Sequence, residues 1–157
     1  MTSTVHIRPA VTDDLAILVA HNQALAMETE SRRLEADTVW EGIQRLLEDP
    51  SKGFYWMAET EGRVVGHLMV TAEWCDWQCG EIWWLQTGYV SPAHRGQGVF
   101  KALYHHVHTL ARDSGVKALR LLVAHDNKVA QKVHAAVGMA RSHYDMFEME
   151  LKIEIEA

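Results

Sequence analysis

Thiols are scarce: Cys75 and Cys79 are the only two in 157 residues. That is too few for a disulfide framework, and no second Cys/His pair stands at zinc-site spacing, so both are expected to stay reduced. No apolar stretch approaches the length that crosses a bilayer, and the opening Met-Thr-Ser-Thr-Val-His runs into a strand pattern without a signal-peptide core. A cytoplasmic location without a membrane partner is the expectation. Basic residues are in deficit, 15 against 21 acidic for a net charge of −6. That balance disfavours a nucleic-acid partner and suits a cationic one. Repeats, low-complexity tracts and linkers are absent, and an apolar share of 48% leaves no ground for disorder. One domain over 1–157 with a sizeable core is expected.

The chain reads as alternating strands and helices. Val5 to Arg8 forms a first strand; Thr12, with Asp13 and Asp14, opens a helix that carries Leu15, Leu18, Val19 and Leu25 to about Thr29. Thr38 with Glu41 three residues on predicts a capping box for a second helix, which ends before Asp49-Pro50. Strands near Phe54 to Glu59 and Arg63 to Trp74 join at Glu61-Gly62. Glu81 to Val90 is the fourth strand. A helix with Phe100, Leu103, Val107 and Leu110 at core spacing ends at Gly115; Lys117 to Ala124 reads as a buried strand, and Tyr144 to Ile153 as the strand that closes the sheet.

The most informative run is Tyr89-Val90-Ser91-Pro92-Ala93-His94-Arg95-Gly96-Gln97-Gly98-Val99-Phe100. An apolar strand breaks into a basic, glycine-bearing turn and re-emerges as a helix, whose first N–H groups and positive dipole end suit an anion such as pyrophosphate. A Walker loop is disfavoured because Val99 and Phe100 follow Gly98, and a dinucleotide fingerprint because Lys101 stands where a third glycine belongs. An ordinary strand-to-helix turn is the plain alternative. A second block, Asn127-Lys128-Val129-Ala130-Gln131-Lys132-Val133-His134, starts with a helix cap. Asn127, Ala130 and His134 share one face; Val129, Val133 and Ala136 form a neighbouring stripe suited to a core, and Gly138 ends the helix.

Together these blocks resemble the GNAT N-acetyltransferase superfamily: Arg95 to Gly98 resembles its acetyl-CoA signature, and Asn127 to Met139 its next motif. Two positions depart, Phe100 for the usual Gly or Ala, its ring expected to turn into the core, and His134 for the usual Tyr. The resemblance implies an α/β (α+β) fold: a mixed, mostly antiparallel central sheet flanked by helices, with the fourth and fifth strands splayed to admit acetyl-CoA as cosubstrate. Gly88 is where a bulge is easiest to make. Tyr89, Val90, Arg95, Gly96, Gln97, Gly98, Val99, Phe100, Asn127 and His134 would then bind the coenzyme, with a backbone N–H at Tyr89 or Val90 facing the thioester oxygen.

The implied activity is transfer of acetyl to a primary amine, on a small molecule or a protein or peptide, in a ternary complex without a metal. His134 is the candidate proton donor to the departing sulfur, against a reading in which it only hydrogen-bonds cofactor or water. Glu28 is the candidate base, with Glu30, Trp84 and Gln86 as acceptor-site residues; Trp84, Gln86 and Gly88 are expected on one face of the strand, across the groove from Glu28 and Glu30. Glu73 and Glu81 are alternative bases. Trp74, Trp77, Trp83 and Trp84 either pack the sheet or wall the acceptor site. His105, His106 and His108 point in different directions and form no metal motif. A homodimer is compatible with this reading. A silent acyl-CoA-binding regulatory module is the alternative function, suggested by Phe100, His134 and Gln86, which stands where some polyamine acetyltransferases carry Glu.

Overall fold

In the computed structural model, which describes residues 3–151, the sheet grows from the tight turn at Glu61-Gly62. Both residues have positive φ, 52° and 73°, the left-handed pair that a two-residue hairpin loop requires. Across it β2 (Phe54–Thr60) and β3 (Arg63–Cys75) pair antiparallel. β1 (His6–Pro9) joins β2 and β4 (Gly80–Val90) joins β3, both antiparallel, while β5 (Ala118–Leu121) lies parallel to β4. The order is β1-β2-β3-β4-β5, the mixed, mostly antiparallel sheet expected.

Helices cover both faces. On one, α3 (Val99–Asp113) packs Val99, Leu103, Val107 and Ala111 against Leu68, Val70, Trp83 and Leu85. On the other, α1 (Leu15–Glu30) and α2 (Ala36–Glu48) close Leu15, Leu18, Val19, Ile43 and Leu46 over Tyr55 and Met57. Leu18, Met57 and Leu103 are wholly excluded from water, each contributing about 1.5–3 kcal/mol by burial.

The starts of α1 and α2 differ from expectation. Thr12 to Asp14 form a single 3₁₀ turn, and Asp14, not Thr12, organises the entry. Its buried carboxylate accepts the Val11 N–H at 2.8 Å and two hydrogen bonds from the Arg8 guanidinium, at 2.7 and 2.8 Å. The Arg8 hydrogen bonds hold the Asp14 pKa below the usual carboxylate value, against the effect of burial. α2 begins at Ala36, so Thr38 lies inside it and no capping box forms at Thr38 and Glu41; Glu35, without a side-chain cap, precedes the helix.

A bulge in β4 controls which side chains face which helix. Met69 pairs with Thr87 but Val70 pairs with Leu85, so Gln86 is the extra residue. The bulge sits two positions before Gly88, and it reverses the alternation. Trp83 and Leu85 face α3 before it, and Gly88 and Val90 after it, so Gly88 does not share a face with Trp84.

The C-terminal part departs most. β5 stops at Leu121, and its residues are half-buried because it is the last strand of the sheet. α4 (Lys128–Ala136) starts where expected, the Asn127 side chain accepting the Ala130 N–H at 3.1 Å. The expected core stripe faces outward, however: Val129 is 76% exposed and Val133 41%, while Asn127, Ala130 and His134 turn inward. No strand forms from Tyr144 to Leu151, because an alternating pattern needs an edge to pair with and this segment meets none among the described residues; the rest of that expected strand lies outside them. No described helix is long and apolar enough to cross a membrane.

Candidate active site

Pairing between β4 and β5 ends at Leu85 and Leu121. Beyond those residues the strands separate, and a cleft of about 210 Å³ opens between them. Its walls are Gln86 and Gly88 of β4, Leu122 to Ala124 after β5, Asn127, Ala130 and His134 of α4, and Phe100 of α3; Leu25, Thr29 and Glu30 of α1 close one end.

The cradle leads into this cleft. Gly96 and Gly98 have φ of 75° and 81°, a conformation that costs other residues about 1–2 kcal/mol, and a Cβ on either would meet nothing within 4 Å. Gly98 precedes α3, and the first bond of that helix runs from the Ala102 N–H to the Gly98 carbonyl. The N–H groups of Gly96 to Lys101 therefore find no acceptor among the described residues, as a helix N-terminus prepared for an anion requires. Val99 anchors this end in the core, while Gln97 is exposed with its amide on the Ala93 carbonyl at 3.3 Å.

Arg95 is already engaged within the chain. Its Nε donates to the Val90 carbonyl at 2.8 Å, Nη2 donates to Glu28 Oε2 at 2.7 Å, and the guanidinium lies 5.4 Å from the centre of the Tyr89 ring. Glu28 is thereby held at Arg95 and is not part of the cleft wall, whereas Glu30 is.

Phe100 is half-buried: it packs toward the α3 cluster as expected and also lines the cleft, its ring 5.5 Å from that of His134. Gly88 makes room for it, since a Cβ there would sit 3.3 Å from Phe100 Cε2. The Nδ1 of His134 is buried with no partner, and burial lowers the pKa of its ring. Burial thus favours the neutral form of His134.

The acceptor-site candidates divide between two places. Gln86 lines the cleft with its amide donating to Thr71 Oγ1 at 2.9 Å. Trp84 lies outside the cleft wall and is half-buried; its indole N–H donates to Glu73 Oε2 at 3.5 Å and Arg120 lies 5.9 Å from its ring. Trp83 is core, and Trp77, at the tip of the β3–β4 hairpin, is 93% exposed. His106 packs on Trp56 rather than joining His105 and His108, and among the described residues no three His, Cys, Asp or Glu side chains cluster as metal ligands would. Cys75 and Cys79 are unpaired.

Sequence reasoning missed a buried polar pair beneath the end of β4. His21 of α1 and His67 of β3 face each other with Nδ1 atoms 3.0 Å apart. His67 is fully buried, Tyr89 lies against His21, and Thr87 Oγ1 is 3.4 Å from His67 Nε2. Burial, and then the facing His21, push the His67 pKa down to about 3; burial lowers that of His21 as well. The signal was present only as a histidine within an apolar stretch of strand, Val64 to Val70.

The chain matches the sequence model of the acetyltransferase (GNAT) family over residues 19–139. Among solved structures, it is similar to a possible acetyltransferase from Clostridium difficile 630, with 33% identity over 95% of this chain and 99% of that one and a TM-score of 0.90. An aminoglycoside N-acetyltransferase in complex with CoA shares the fold at 19% identity, over 96% of this chain and 97% of that one, with a TM-score of 0.78. So does a ribosomal-protein-alanine N-acetyltransferase from Brucella melitensis biovar Abortus 2308, at 18% identity over 94% and 100%, with a TM-score of 0.76. No curated protein matches the chain.

Proposed function

The chain belongs to the acetyltransferase (GNAT) family, and on that premise we propose that it transfers the acetyl group of acetyl-CoA to a primary amine, directly, within a ternary complex. The observation that carries this reading is the row of unpartnered N–H groups from Gly96 to Lys101 beside the β4–β5 cleft. Six donors and a helix N-terminus favour a pyrophosphate, and the unpaired strand edges beyond Leu85 and Leu121 favour an extended amide chain such as pantetheine. The orphaned His134 Nδ1 is a further polar group that a ligand in the cleft would satisfy.

The chemistry needs a free amine and a protonated leaving group. The substrate ammonium loses one proton, its nitrogen bonds to the acetyl carbon, the carbon–sulfur bond breaks, and a second proton from nitrogen balances the sulfur as thiol. Glu30, on the α1 side of the cleft, attracts the ammonium and takes the first proton. Glu28 acts at one remove, holding Arg95 against the Val90 carbonyl and so fixing the end of β4. His134, its neutral form favoured by burial, hydrogen-bonds at the departing sulfur and passes on the second proton. Gln86, unable to accept a proton, orients the acceptor. The aminoglycoside and ribosomal-protein neighbours suggest that both small-molecule amines and peptide N-termini belong in an acceptor panel.

Thiol release measured over such a panel tests the reading. At least one amine should release coenzyme A in proportion to acetylated product. Ligand-dependent stabilisation by acetyl-CoA with no release for any acceptor would instead support the silent binding module.

A further inference from the structure

From Gln86 in the cleft wall, a row of contacts leads across the sheet. The Gln86 amide donates to Thr71 Oγ1 at 2.9 Å, Thr71 stands opposite Trp84 in the β3–β4 register, and Trp84 stands opposite Arg120 in the β4–β5 register. Residues opposite one another share a face of a sheet, so Thr71, Trp84 and Arg120 form one row over three strands. That face is turned away from α3, because Trp83 and Leu85, which flank Trp84, pack in the α3 cluster, as do Leu119 and Leu121 on either side of Arg120. It is the face of α1, whose Thr29 and Glu30 close one end of the cleft.

Arg120 is the charged member of the row. Its Nη1 lies 3.9 Å from Glu73 Oε2, with the two side chains 40% and 54% exposed. That distance is beyond hydrogen-bond reach, and ion pairs this exposed contribute little, so Arg120 exchanges Glu73 for a better partner at small cost. The strand order decides which partner reaches it. The cleft opens between β4 and β5, and Leu122 in its wall follows Arg120 by two residues, about 7 Å along the chain. Glu73 is two strands away on β3, where it also receives the Trp84 N–H. A molecule extending from the cleft along β5 therefore meets the cation before the carboxylate.

We infer that Arg120 determines acceptor specificity, and that the acceptor is an amine carrying a carboxylate about 7 Å from its nitrogen. This rests on the acetyl-transfer reading above. The ammonium sits at Glu30 and Gln86, the carbon chain passes Leu122, and the carboxylate takes two parallel hydrogen bonds from the planar Arg120 guanidinium. An ω-amino acid of about five or six carbons has this reach.

Matched acceptors that differ only in the carboxylate test this by thiol release: 5-aminopentanoate against pentylamine, and 6-aminohexanoate against hexylamine. In at least one pair the parent should show a kcat/KM about tenfold or more in favour of the amino acid, as a charge-assisted bidentate contact confers. Arg120→Gln should erase that advantage through KM, with kcat, the alkylamines and acetyl-CoA affinity unchanged. Arg120→Lys keeps the charge without the fork and should fall between. A parent that uses the alkylamines, or other amines of the panel, as well as these amino acids overturns the inference and leaves acetyl transfer intact. A loss in Arg120→Gln shared equally by both members of a pair also overturns it, since Arg120 then shapes the sheet rather than reads the acceptor. Thiol release with no amine at all overturns the inference together with the acetyl-transfer reading.

Discussion

Lowering the pH should destabilise this protein through His67. The ring is fully buried, its Nδ1 is 3.0 Å from that of His21, and the groups around it are Tyr55 of β2, Tyr89 and Thr87 of β4 and His21 of α1, with no carboxylate among them. A proton on His67 is therefore uncompensated, and a second on His21 would set two N–H groups against each other. The folded-state pKa of about 3 lies below the unfolded value of about 6.5. The unfolded chain thus binds more protons between these values, and stability is full above about pH 6.5 and falls as pH drops toward 3. At pH 5 the loss works out at about 2 kcal/mol, from roughly 1.4 kcal/mol per pH unit over about 1.5 units. For a chain of this length that is about 4–8 °C in Tm. Urea unfolding followed by tryptophan fluorescence at pH 8 and pH 5 measures it, with His67→Asn as the variant that cannot titrate. His67→Asn will be less stable at pH 8, through loss of the packed ring, but should lose about 2 kcal/mol less than the parent on going to pH 5. Equal losses in the two proteins would refute the reasoning, because His67 would then titrate in the folded state as it does in water.

Gly98→Val should weaken acetyl-CoA binding and lower Tm by the cost of a β-branched residue at φ 81°, about 1–2 kcal/mol; unchanged affinity by titration would move the pyrophosphate elsewhere. Gly88→Ala should push the Phe100 ring, 3.3 Å from the new Cβ, toward the cleft and raise the Kd for acetyl-CoA, with an overpacking cost of about 1–3 kcal/mol visible in Tm. His134→Ala should reduce kcat more than coenzyme affinity, and His134→Tyr should retain part of the turnover; equal kcat in Ala variant and parent would leave solvent as the proton carrier. Glu30→Gln should lower kcat/KM for the acceptor, with the deficit shrinking as pH rises and free amine appears unaided. Glu28→Gln should instead cost less than about 1 kcal/mol of stability, as exposed ion pairs do, and alter kcat through a loosened Arg95; a pH-dependent deficit like that of Glu30→Gln would make Glu28 the base.

The features legible in the sequence are those whose cause is local. Glycines at 62, 96, 98 and 138 stand where the backbone takes positive φ, Asn127 caps the helix that follows it, and the apolar spacing of α3 matches its buried face. Each depends on a few neighbouring residues, so the residue types alone carry the information. Even here competition intervened: the Thr38–Glu41 pattern is a sound cap signal, but α2 starts earlier, at Ala36, separated from the end of α1 by five residues. What only the tertiary structure decided depends on residues far apart in the chain. The Gln86 bulge exists only relative to β3, and it sends Gly88 toward Phe100 and Thr87 and Tyr89 toward His67. Glu28 meets Arg95 across 67 positions and His21 meets His67 across 46, contacts between residues too far apart in the chain for any local pattern to announce. The strand pattern of Phe147 to Leu151 shows the same limit from the other side. Alternation prepares a segment to lie on an edge, but the edge it occupies is set by the rest of the fold, and among the described residues it occupies none.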